Sequence, residues 1–168
     1  MTVGYSVSNP GTENLYFSIG AHPAFNCPLH ADEKRSDYDL VFEKLESIES
    51  QLIESGIRTG DTKPVLNNQT TLKITDDLFE EDALILEDLK SDSITIQKGE
   101  KPILTMHFKG FPYFGIWSKN EQSPFVCLEP WFGIADHQDH DHDYKKKEGV
   151  ICLESGEDFQ CNYSLIIY

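Results

Sequence analysis

Tyr5-Ser6-Val7-Ser8-Asn9-Pro10-Gly11-Thr12-Glu13-Asn14-Leu15-Tyr16-Phe17-Ser18-Ile19 is the stretch on which the fold class turns. Tyr5 and Val7 alternate with polar neighbours, and the same period of two returns at Leu15, Phe17 and Ile19. A half-buried strand requires this period, because successive side chains point to opposite faces. Asn9-Pro10-Gly11 between the two runs is a turn signal, so the stretch predicts an antiparallel hairpin.

The pattern repeats along the chain. Further strands are expected at Tyr38–Phe42, Thr71–Ile74, Ala83–Leu86, Ser93–Gln97, Ile103–Phe108, Phe114–Ser118, Phe125–Leu128, Gly149–Leu153 and Asn162–Ile167. Most are short and bounded by Gly, Pro, Asn or Asp. Helical candidates are brief: Asp76–Glu81 with Thr75 as cap, and Glu43–Gln51. Many short strands with little helical periodicity predict an all-β, antiparallel sandwich or barrel. Residues 1–168 contain no long repeat, low-complexity tract or linker, so a single domain is expected.

Composition narrows the partners. The 168 residues are 39% hydrophobic and 11% aromatic, enough for a packed core. Lys and Arg total 14 against 29 Asp and Glu, a formal charge of −15. That excess repels phosphate, which makes nucleic acid and anionic membrane surfaces poor partners. No apolar run approaches the roughly 20 residues of a membrane helix, and MTVGYSVSNPGTEN carries no basic-then-apolar signal. A cytoplasmic location is the expectation. Cys27, Cys127, Cys152 and Cys161 have scattered spacings with no CxxC, which favours buried thiols over disulfides or zinc ligands.

Five segments are candidates for chemistry. In Ile19-Gly20-Ala21-His22-Pro23-Ala24-Phe25-Asn26, proline holds His22 extended, and Gly20 and Ala21 leave room for an approach. His22 is either a proton donor or acceptor near neutral pH or a half-buried histidine bonded to a loop carbonyl. In Pro124-Phe125-Val126-Cys127-Leu128-Glu129-Pro130-Trp131-Phe132-Gly133, one carboxylate lies among apolar and aromatic residues. Desolvation raises the pKa of such a group, which is costly unless it has a structural partner or a task. Trp131 and Phe132 offer flat faces of the kind that pack against the C–H surface of a sugar.

The other three segments are weaker. Asp82, at the entrance to an apolar strand, reads first as a solvated turn. Phe111–Ser118 is aromatic, suited to core or to the wall of a carbohydrate cleft. His137-Gln138-Asp139-His140-Asp141-His142-Asp143 alternates metal-ligand types but lacks an apolar shell, so it is expected to be a solvated loop rather than a metal site.

FSIGAHPAFN, the DALIL run, FPYFGIWSK, and CLEPWFGIAD followed by KKEGV resemble the C-terminal part of aldose 1-epimerases, the galactose mutarotase family, in its bacterial LacX-like branch. The resemblance runs over nearly the whole chain with the segments in order. It implies a large antiparallel β-sandwich that interconverts the α and β anomers of free hexoses. It further implies His22 as general acid, Glu129 as general base and Asp82 as a holder of sugar hydroxyls. Asn26 and Trp131 complete the expected sugar contacts. The reaction requires no metal and no redox cofactor.

The family's N-terminal part, which supplies another histidine and an arginine, has no counterpart here. The chain is therefore expected to be a C-terminal portion of that fold. A sugar-binding module without catalysis is the competing reading. A third is a half-domain that pairs through an open sheet edge with a copy of itself or with a separate N-terminal part.

Overall fold

Ser55 and Gly56 have φ values of +53° and +82°, the two left-handed residues that a tight two-residue hairpin demands. They join β4 (Tyr38–Glu54) to β5 (Ile57–Lys73), the longest strands of the molecule. The computed structural model describes residues 1–120 and 122–168. Its remaining strands are β1 (Thr2–Ser8), β2 (Leu15–Phe17), β3 (Ala24–Asn26), β6 (Leu84–Glu87), β7 (Ser93–Lys98), β8 (Lys101–His107), β9 (Tyr113–Trp117), β10 (Phe125–Trp131), β11 (Ile151–Leu153) and β12 (Asp158–Ile167).

One ten-stranded sheet runs in the order β1-β12-β8-β7-β4-β6-β9-β10-β3, with β5 beside β4, and β11 pairs with β2 in a small second sheet. Every ladder between named strands is antiparallel. A single apolar cluster contains Tyr163 and Leu165 of β12 together with Val126 and Leu128 of β10. Strands near opposite ends of the sheet thus share one core, as the predicted antiparallel β-sandwich requires. No helix among the described residues is long and apolar enough to cross a membrane.

Four local expectations are corrected in whole or in part. The two runs flanking Asn9-Pro10-Gly11 do not pair with each other: β1 pairs with β12, and β2 with β11. The chain turns a corner between the two sheets at that point, and the segment between β11 and β12 turns with it. Asn9 ties the corners together, its Nδ2 donating to the Leu153 and Glu13 carbonyls at 2.9 and 2.8 Å.

Glu43–Gln51 is strand, not helix. The phase of its alternation is carried by buried Glu46, Ile48 and Ser50, while Leu45 is exposed. Glu46 accepts from the Lys90 and Ser91 amides, and Ser50 Oγ from the Ile85 amide. Polar residues therefore occupy inward positions, and bulges shift the register between Val41 and Ile53. Asp76–Glu81 is a run of tight turns closed by Leu78 N–Thr75 O and Glu80 N–Asp77 O bonds. The cysteines are all free. Cys27 and Cys127 are buried as expected, whereas Cys161 is half-buried and Cys152 exposed.

Candidate active site

Two prolines open the ladder where the candidate site lies. Residues 19–26 run antiparallel to β10, with Gly20 across from Trp131 and Ala24 across from Cys127. The residues midway between, His22 and Glu129, therefore face one another although they are far apart in sequence. Ala21 N donates to Pro130 O, and Leu128 N donates to Pro23 O. Each of these pairs lacks its return bond because proline has no N–H. His22 and Glu129 occupy the non-hydrogen-bonded position between them, where opposed side chains come closest.

The contact is direct: His22 Nδ1 lies 2.8 Å from Glu129 Oε1. The environments differ sharply. Glu129 is 5% exposed, whereas the His22 side chain is 60% exposed. Burial pushes the Glu129 carboxyl up to about 7, and the Trp131 indole offsets only part of that push.

Trp131 is held by backbone. Its Nε1 donates to the Ala21 carbonyl at 3.2 Å, using the acceptor that Pro130 cannot serve. The room that Gly20 leaves is filled by this indole: a Cβ at Gly20 would stand 2.6 Å from Trp131 Cδ1. A Cβ at Gly115, across from Glu129 on β9, would stand 2.4 Å from Trp131 Cζ2 and Cη2.

Asp82 arrives by a different route. It precedes β6, which pairs with β9, which pairs with β10. Its backbone is left-handed, with φ +76°, and its Oδ1 accepts from the Ala83 amide at 2.7 Å. His22, Asp82, Glu129 and Trp131 line one hollow of about 220 Å³ together with Ala83 and Trp117. Trp117 packs against His22 with ring centroids 5.8 Å apart. It falls within the aromatic segment but was not singled out by sequence, and its register across from Cys127 on β10 brings it there.

Asn26 lies at the end of β3 across from Phe125, outside the set that lines the hollow. Trp131 also borders a larger hollow of about 430 Å³ with Ile53, Ile85 and Ile134, which Tyr144 and Lys147 line as well.

The His137–Asp143 run lies apart from the hollow. Lys146 pairs with Asp141 and Lys147 with Asp136, so salt bridges organise this loop. Buried Arg58, which no motif revealed, anchors its base: Nε donates to the Ala135 carbonyl at 2.8 Å, and the guanidinium pairs with Glu148 at 2.5 Å.

The sequence model of the aldose 1-epimerase family matches residues 1–152. The chromosomal and plasmid LacX proteins of Lactococcus lactis subsp. lactis are each 41% identical to the chain over 136 residues, covering 78% of it and 46% of their own length. The chain thus spans about half the length of the curated relatives it matches. Among solved structures, a galactose mutarotase related enzyme from Lactobacillus acidophilus superposes with a TM-score of 0.90 at 27% identity, over 99% of this chain and 57% of that one. A galactose mutarotase-like protein from Lactobacillus casei ATCC 334 gives 0.87 at 29%, over 99% and 58%. The motifs read from the sequence, the sandwich that carries them and these similarities agree: the chain belongs to the aldose 1-epimerase family.

Proposed function

We propose that the chain is an isomerase of the aldose 1-epimerase type, interconverting the α and β anomers of a hexose by acid–base ring opening. The observation that carries this reading is the 2.8 Å contact between His22 and Glu129 at the edge of a hollow. The anomeric hydroxyl and the ring oxygen share one carbon, so an acid and a base serving them must be neighbours on one hollow, as this pair is.

Glu129 removes the proton from the anomeric hydroxyl as His22 delivers one to the ring oxygen. The bond from C1 to the ring oxygen breaks, and C1 becomes an aldehyde. Rotation about C1–C2 presents the other face of the carbonyl. The ring oxygen then closes on C1 while both protons return. Asp82 offers a carboxylate to sugar hydroxyls, and Trp131 and Trp117 offer aromatic faces to the ring's C–H surface.

Polarimetry on freshly dissolved α-glucose and α-galactose tests the proposal. The expected result is anomerisation faster than in buffer; decay at the buffer rate for both sugars removes the reading for them. The pH dependence follows from Glu129. A base must be ionised, and this carboxyl is held near 7. In chelator-treated buffer the rate should therefore climb as pH rises through about 7, not through the usual carboxylate range near 4.5. A rate already at its plateau by pH 5.5 would contradict the assignment.

A second reading is a sugar-binding module without catalysis, since the aromatic faces of Trp117 and Trp131 and the Asp82 carboxylate on one hollow serve binding without any proton transfer. Calorimetric sugar binding with no rate enhancement selects it.

A further inference from the structure

Cys127 has no part in the proposed reaction, yet it stands within the site. It precedes Glu129 by two residues on β10, so both side chains leave the strand on the same face. His22, Cys127 and Glu129 each present one ligand atom, and the three atoms lie within 4.8 Å of one another. Among the described residues this is the only such gathering of three His, Cys, Asp or Glu side chains. Cys127 is 2% exposed and Glu129 5%, so two of the three are fixed by the packing of β10, which is paired on both sides by β9 and β3.

Imidazole, thiolate and carboxylate are the ligand types of tetrahedral zinc, and sites with three protein ligands keep a fourth position open. Two of the three, His22 and Glu129, line the hollow bordered by Asp82 and Trp117.

We propose that His22, Cys127 and Glu129 form a binding site for one soft divalent cation, Zn²⁺ or Cd²⁺. On binding, the Cys127 S–H bond breaks, its proton passes to solvent, and the sulfur bonds the metal. The cation takes the place of the proton between His22 Nδ1 and Glu129 Oε1, and no oxidation state changes. The sulfur sets the selectivity: Mg²⁺ and Ca²⁺ prefer oxygen ligands and are disfavoured. A cation held there occupies the lone pairs that proton transfer uses, so it inhibits rather than assists. That inhibitory consequence rests on the reading of the preceding section; the binding itself does not.

The test titrates the whole chain with Cd²⁺, without sugar, and follows the ultraviolet thiolate-to-cadmium charge-transfer band. The band is expected to saturate near one equivalent, to resist excess Mg²⁺, and to persist in Cys152→Ser, which removes the exposed thiol. It should disappear in Cys127→Ser and in Cys127→Ala, the second variant covering a failure of the first to fold as judged by circular dichroism. Glu129→Gln should weaken Cd²⁺ binding by roughly tenfold or more. No band in the unmodified chain, or a band that survives both Cys127 variants, overturns the proposal. Failure to anomerise any sugar leaves this result standing, so the two proposals fail separately.

Discussion

Glu129→Gln is expected to abolish anomer interconversion while making the protein more stable above neutral pH. The loss of activity follows from removing the base, worth on the order of 10²–10⁴ in rate. The gain follows from linkage. Burial raises the carboxyl from 4.5 to about 7 in the folded chain. Between those values the folded chain holds a proton that the unfolded chain has released. The stability associated with Glu129 is therefore fully present below pH 4.5 and is lost as pH rises through about 7.

Glutamine keeps the shape and carries no charge, so it escapes that loss. Urea unfolding should show the variant more stable by about 2–3 kcal/mol at pH 8, with the difference vanishing at pH 4. An unaffected rate would refute Glu129 as the base. Identical stability at every pH would refute the claim that its ionised form is strained by burial.

Gly115→Ala should be the most damaging small substitution near the site. The added Cβ would meet the Trp131 ring at 2.4 Å. The indole is held on two further sides, because Gly20 backs its other edge and its N–H is bound to Ala21. Overpacking a rigid contact of this kind costs about 1–3 kcal/mol. Since Trp131 lines the hollow, calorimetric sugar affinity should fall as well. Gly4→Ala on β1, where nothing lies within 4 Å of the new Cβ, serves as the control and should be neutral or mildly stabilising in urea. Combining Gly115→Ala with Trp131→Leu should recover part of the lost stability. No recovery would show that the cost lies elsewhere than in the indole.

Legibility varied with the type of signal. Tyr38–Phe42, Ser93–Gln97 and Phe125–Leu128 were readable because each alternates or runs apolar, and each marks the start of a real strand, although β4 and β10 run on beyond the readable part. Glu43–Gln51 was not, because its inward positions are held by Glu46 and Ser50, whose burial depends on amides contributed by residues 85–91. His22 and Glu129 stood out for a local reason, each being a titratable residue that a following proline constrains. Trp117 and Arg58 carried no such mark. Their roles depend on which strand or loop lies opposite, a fact held by no neighbouring residue.

Local chemistry, written along the chain, determined the all-β class, the two constrained titratable residues and the family motifs. Pairing was decided only in three dimensions. The Asn9-Pro10-Gly11 turn separates two strands instead of joining them, since β12 and β11 compete for their edges from the far end of the chain. The meeting of His22 with Glu129, and of both with Asp82, likewise depends on register across several strands. A period of two tells each residue which face it takes, but not which strand lies beside it, because hydrogen-bonded backbone is the same everywhere and the choice belongs to the packed whole.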